Sequence, residues 1–155
     1  MTTRILCVCL GNICRSPAGQ AVLEALLPSA RIDSAGTGDW HIGRAPYGPM
    51  QKTALARGYD LSGQRARQVA ARDFEDFDLL LAMDRQNLAD LRAIRPGGSR
   101  AELALFLTHA DGTPEDVPDP YFTGDFDTTM DLIETGAKAW AAQPHIASAV
   151  SPKER

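Results

Sequence analysis

Apolar positions follow two different periods along this chain, and the places where one period gives way to the other outline its elements. Arg4-Ile5-Leu6-Cys7-Val8-Cys9 is a short apolar run ending at a glycine-containing turn, which predicts a strand. Ser16-Pro17 then opens a stretch with Ala18, Val22, Leu23, Leu26 and Leu27 at helical spacing, with proline in the first turn where its missing N–H costs nothing. Arg31 to Ala35 predicts a second short strand, and the Gly- and Pro-rich segment from Gly36 to Pro49 a structured loop. Met50 to Arg57 reads as a helix stopped by Gly58. Asp78-Leu79-Leu80-Leu81-Ala82 has the composition of a buried strand, and Asp84 can cap a helix carrying Leu88, Leu91 and Ile94 before Pro96 ends it. Glu102 to Leu107 predicts a fourth strand. A polar, proline-bearing loop follows from Thr108 to Asp125, and Met130, Ile133, Ala137 and Trp140 then share one face of a last helix. The tail Ser151 to Arg155 is expected to be disordered.

Strands alternating with helices imply an α/β fold, in which a parallel sheet is covered on both faces and joined by right-handed crossovers. Ligands of such sheets sit beyond the carboxyl ends of the strands, where Cys9 falls. At 155 residues the chain can bury one ordinary core without staples, and a single domain over residues 1–150 is expected. The 44% hydrophobic and 23% charged fractions are those of a soluble globular protein. A net charge of −4 offers no attraction to nucleic acid or anionic membrane, and a monomer without either partner is the expectation. No apolar run approaches membrane-spanning length and Met1-Thr2-Thr3-Arg4 lacks a signal-peptide pattern, so the cytoplasm is the expected compartment. All three cysteines, Cys7, Cys9 and Cys14, lie within eight positions, which suits chemistry or metal rather than a disulfide framework.

The loop Cys9-Leu10-Gly11-Asn12-Ile13-Cys14-Arg15-Ser16 carries the chemistry. Bracketed by a strand and a helix start, its backbone N–H groups and the helix dipole converge on a point suited to a dianion. Gly11 and Asn12 are residue types that tolerate the left-handed backbone such a wrap requires. A free cysteine titrates near ~8.5 and can fall to roughly 3.5–7.5 at a helix N-terminus beside arginine, so Cys9 is expected to be a thiolate. Arg15 offers a planar fork for two phosphoryl oxygens, and Ser16 can donate to the sulfur when it leaves. Transfer to a thiolate needs a proton for the departing oxygen. Asp119, fixed between Pro118 and Pro120, is the carboxyl suited to supply it and then to activate water, given a raised pKa for the first role. Asp111, Glu115, Asp116 and Asp125 lack such flanks and read as solvated charges.

Val8 to Pro17 together with Asp119-Pro120-Tyr121 resembles the low-molecular-weight protein-tyrosine phosphatases. Ser34-Ala35-Gly36-Thr37, Asp39-Trp40-His41-Ile42-Gly43-Arg44, Arg65-Ala66-Arg67-Gln68, Asp73-Phe74 and Met83-Asp84-Arg85-Gln86-Asn87-Leu88 extend the likeness in family order. The resemblance spans residues 4 to 142. It implies a four-stranded parallel sheet, no metal or other cofactor, a phosphotyrosine-containing protein as substrate, and a phosphocysteine intermediate. By match Cys9 is the nucleophile, Arg15 the phosphate clamp and Asp119 the proton donor. Leu10, Gly11, Asn12, Ile13, Cys14 and Ser16 line the phosphate site. Asn12 and Ser34 hold the loop's shape, Ile13, Trp40 and Tyr121 flank the substrate ring, and Cys14 is a thiol able to pair reversibly with Cys9.

Departures from the family's pattern fall in the loop's surroundings. Gln20 and Gln64 stand where many members pair a glutamate with a histidine, so an amide pair is expected to replace an ion pair beneath the loop. Tyr47 replaces a frequent aspartate, and Phe122 a second tyrosine. Asp84 is read both as a helix cap and as a partner of Arg15. His41, His109 and His145 read as surface residues, Trp40 as a pocket residue, Trp140 as core, and Cys7 as a small buried hydrophobe. Three other functions share features with this chain. Thioredoxin-coupled arsenate reductases carry further cysteines that are missing after Cys14. Protein-arginine phosphatases favour threonine in place of Ile13, and a non-catalytic phosphotyrosine-binding module would be expected to have lost Cys9 or Asp119.

Overall fold

In a computed structural model that describes residues 3–147, four strands form one sheet: β1 Arg4–Cys9, β2 Arg31–Gly36, β3 Leu79–Ala82 and β4 Glu102–Leu105. The expected disordered tail lies outside the described residues. Among the described residues, four helices lie between the strands, α1 Arg15–Leu26, α2 Gly48–Ala56, α3 Asp73–Asp76 and α4 Arg85–Ile94, and three follow the last strand, α5 Pro120–Thr123, α6 Phe126–Ala141 and α7 Pro144–Ala147. All strand pairs are parallel, in the order β2-β1-β3-β4. The chain therefore leaves β1 toward one edge and returns to its other side, which makes the carboxyl end of β1 the topological switch point. This is the four-stranded α/β architecture that the sequence predicts, with the Cys9-to-Arg15 loop directly after the first strand.

Strand alternation divides the core in two. Ile5, Cys7 and Cys9 of β1 and Leu79 and Leu81 of β3 face one way, against Ala18, Val22 and Leu23 of α1 and Met130, Ile133 and Ala137 of α6. Leu6, Val8, Leu80 and Ala82 face the other way, against Phe74, Phe77, Leu88 and Leu91. β1 and β3 are buried on both faces, which is why they read as unbroken apolar runs rather than alternating ones. Cys7 is fully buried, as a small hydrophobe should be.

Several expectations change. α5 is a single turn inside a segment that reads as loop, and α3 a single turn in a segment given no element, both too short for periodicity to register. β4 ends at Leu105, because the 106–109 segment turns away to bury Phe106. Ile94 is 46% exposed at the last position of α4, and Leu26 lies at the solvent edge of α1. Asp125 and Asp116 do more than face water. Asp125 Oδ1 accepts from Thr128 N at 3.0 Å and caps α6, while Asp116 binds the Arg85 guanidinium and backbone N–H, which lowers its pKa.

Trp140 is core, and its indole N–H donates to the Phe106 carbonyl at 3.0 Å. His109 packs edge-on against it, with ring centroids 4.5 Å apart. Trp140→Phe removes the donor and leaves that buried carbonyl unpaired, which should cost about 1–3 kcal/mol. A lower midpoint of urea unfolding is the expected result.

Candidate active site

Cys9 ends β1 with its thiol 3% exposed, and the loop then curls back over it. The Asn12 backbone N–H donates to Cys9 Sγ at 3.3 Å, and the Ser16 hydroxyl lies 3.0 Å from the same sulfur. The backbone N–H groups of Gly11, Ile13 and Cys14 make no hydrogen bond to another described residue, and α1 begins at Arg15, so unpaired donors and the amino terminus of a helix meet in this loop.

Among the described residues Asn12 is the one non-glycine with positive φ, at 57°. Its side chain spends every polar atom on holding that conformation. Nδ2 donates to Ser16 Oγ at 2.8 Å and to Ser34 Oγ at 2.9 Å, while Oδ1 accepts from Arg67 N at 3.0 Å. Gly11 does not share the left-handed backbone. It is small for another reason: a Cβ there would stand 3.0 Å from the His41 ring. Gly36 on β2 plays a similar part, since a Cβ would meet the Leu10 carbonyl at 2.8 Å.

Arg15 is 2% exposed, a rare burial for a guanidinium. Nη1 donates to Asp84 Oδ2 at 2.7 Å and to the Val117 carbonyl at 2.9 Å, and Nη2 makes a long 3.4 Å contact with Asp119 Oδ2. Nε is buried without a partner among the described residues. Burial works to lower this group's pKa, and Cys9, Asp84 and Asp119 more than offset it, so the guanidinium stays charged. Asp84 meets both of its expectations, because its Oδ1 also accepts from Asn87 N at 2.7 Å and caps α4.

Asp119 sits at the mouth, partly exposed, with Oδ1 accepting from Tyr121 N at 3.1 Å as the cap of the short α5. It faces a cleft of about 200 Å³ walled by Ile13, Cys14, Trp40, Tyr121 and Phe122, with Cys9 at its floor. Cys14 belongs to the cleft, and its pKa is pushed up, first by burial and then by Cys9 and Asp119. A larger cavity at the opposite, amino-terminal ends of the strands holds the Arg4–Asp78 pair and the turn at 96–101, and no cysteine.

Two readings are corrected here. Gln20 and Gln64 are not joined: Gln20 Nε2 donates to Glu24 one helical turn ahead at 3.3 Å, on an exposed face. Gln64 alone supports the loop, accepting from Ser34 Oγ at 3.3 Å and donating to the Pro17 carbonyl at 2.9 Å. With both amide atoms so used, Gln64 has no need of a second glutamine. His41 is no plain surface residue either, since its ring covers Gly11, lines the cleft and lies 6.2 Å from Tyr121. Two further contributors escaped the sequence: the Arg67 backbone that fixes Asn12, and Phe122 as a wall. Tyr47, a departure already legible in the sequence, donates its N–H to the Ile13 carbonyl at 2.8 Å and sets its ring 5.1 Å from Tyr121.

The family model described as low molecular weight phosphotyrosine protein phosphatase matches residues 4–150. The chain belongs to this family. It is 39% identical over 141 residues to the low molecular weight protein-tyrosine-phosphatase YfkJ of Bacillus subtilis, covering 86% of this chain and 90% of that one. A low molecular weight phosphotyrosine protein phosphatase of Schizosaccharomyces pombe is 40% identical over 129 residues, covering 78% and 82% of the two chains. Among solved structures, that of YfkJ superposes with a TM-score of 0.86 at 37% identity, over 92% of this chain and 94% of that one. A protein tyrosine phosphatase from Entamoeba histolytica crystallised with Hepes in its active site gives 0.88 at 29% identity, over 95% and 99%. Membership makes this phosphatase a cysteine-dependent enzyme.

Proposed function

We propose that this phosphatase hydrolyses phosphotyrosine in polypeptides through a phosphocysteine formed on Cys9. The observation that carries the reading is the buried Arg15 guanidinium beside the Cys9 thiol. Its Nη1 is committed to Asp84 and Val117, while the edge formed by Nε and Nη2 has one unpaired donor and one long contact. That edge matches two phosphoryl oxygens, and the free loop N–H groups can take the third. The Cys9 thiolate attacks phosphorus, the bond to the tyrosyl oxygen breaks, and the Asp119 carboxyl gives its proton to that oxygen. In the second half Asp119, now a carboxylate, takes a proton from water as the water oxygen attacks phosphorus. The P–S bond breaks, and the thiolate leaves toward the Ser16 hydroxyl and the Asn12 N–H. The apolar wall at Ile13 favours the face of a phenyl ring over a guanidinium, and Trp40 and Tyr121 give that ring aromatic neighbours. Hydrolysis of p-nitrophenyl phosphate in the presence of EDTA tests the reading. Sustained turnover is expected, and binding without turnover would replace the enzyme with a recognition module.

The same reading assigns Cys14 as the thiol that closes on Cys9 once hydrogen peroxide has oxidised Cys9 to a sulfenic acid, water leaving as the S–S bond forms. A raised pKa keeps a thiol protonated at neutral pH, so neither Cys14 nor the buried Cys7 competes for an alkylating agent. Iodoacetate at pH 7 should therefore modify Cys9 alone by peptide mass mapping. Activity lost to peroxide should return with dithiothreitol in the native protein and far less in Cys14→Ser.

A further inference from the structure

Beside the catalytic cleft lies a second cavity, about 460 Å³ in volume, that shares Leu10 and Trp40 with it as common walls. Its remaining surface comes mainly from Val69, from Gln68, and from Asp90 and Ile94 on α4. Asp90 and Ile94 are four residues apart and so share one face of that helix, with Gln86 a turn earlier. Ile94 and Trp40 are 46% and 66% exposed, unusual for side chains of their size.

The charge here is one-sided. Asp90 Oδ1 accepts from Gln86 Nε2 at 3.0 Å, and among the described residues no cation pairs with this carboxylate. No lysine or arginine lines the cavity. Gln68 donates from Nε2 to the Thr37 carbonyl at 3.1 Å, which leaves its Oε1 as a second acceptor. The cavity thus combines aliphatic walls at Val69 and Ile94, an indole, and two acceptors of which one is charged.

We infer that this cavity is a subsite for a lysine or arginine of the substrate polypeptide flanking the phosphotyrosine. The inference rests on the phosphotyrosine reading of the cleft. A long basic side chain meets each feature in turn: its methylene stem lies on Val69 and Ile94, its head reaches Asp90 and Gln68, and the indole of Trp40 faces the cation. Because the two cavities share walls, and an extended chain advances about 3.3–3.6 Å per residue, the basic residue falls within about three positions of the phosphotyrosine. An acidic flank would meet the Asp90 carboxylate instead, so the site also selects against acidic flanks.

The test is a set of phosphotyrosyl peptides in which a single arginine, alanine or glutamate is moved through the flanking positions. At one position arginine should raise kcat/KM about 3–10-fold over alanine, as expected for an exposed ion pair reinforced by an indole, and glutamate should lower it. The preference should weaken at about 0.5 M salt, vanish in Asp90→Asn and turn toward glutamate in Asp90→Arg. Hydrolysis of p-nitrophenyl phosphate, which reaches only the cleft, should be unchanged in both variants. Equal rates for all flanks, or a preference that survives Asp90→Asn, would overturn the subsite while leaving the phosphatase reading in place. Inactivity toward every aryl phosphate would overturn both.

Discussion

Cys9→Ser should lower the turnover of p-nitrophenyl phosphate by a factor on the order of 10⁵–10⁶, as loss of a nucleophile does in other covalent enzymes. A serine hydroxyl fits the same space and can keep the contacts to Asn12 N and Ser16, so the loop should not rearrange. What it lacks is reactivity: an alcohol stays protonated at neutral pH, and its oxygen is a far weaker nucleophile than sulfur. Recognition should survive, because Arg15 is held by Asp84 and by the Val117 carbonyl, independently of the sulfur. The variant is therefore expected to bind a phosphotyrosyl peptide with a Kd close to the KM of the native enzyme, measured by titration calorimetry. Turnover within tenfold of the native rate would remove Cys9 from the mechanism.

The second large effect belongs to Asp119→Asn, expected to cost about 10²–10⁴ in kcat, the usual range for a general acid. Asparagine still caps α5, accepting from Tyr121 N through its amide oxygen, so the loop should keep its geometry. The size of the loss should depend on the leaving group. Phenolate needs a proton far more than nitrophenolate does, so phenyl phosphate should suffer more than p-nitrophenyl phosphate. Equal losses with the two esters would assign Asp119 to binding through its 3.4 Å contact with Arg15 rather than to proton transfer.

Part of this arrangement was legible before any coordinates. β1 and β3 are buried on both faces and could announce themselves as apolar runs, and Ser16-Pro17 could mark a helix start, because those signals are local. The shell around the loop was less legible. Nothing in the spacing of Gln20 and Gln64 reveals that only Gln64 reaches Ser34 and Pro17, since that depends on how the 61–66 segment packs across α1. His41 gave no sign that its ring would cover Gly11, and α5 hides in a proline-bearing loop because one turn has no period.

The sequence by itself determined the chemical inventory: a thiol, a guanidinium and a loop of small residues between a strand and a helix, with a carboxyl fixed between prolines far along the chain. Tertiary structure decided what that inventory is attached to. The parallel order β2-β1-β3-β4 places the ends of β1 and β3 side by side, so Asp84 and Val117 reach Arg15 from 69 and 102 residues away. The same order brings α4 beside Trp40 and creates the cavity at Asp90. Hydrogen bonds and cavities of this kind depend on distances in space between segments remote in sequence, and local periodicity carries no record of them.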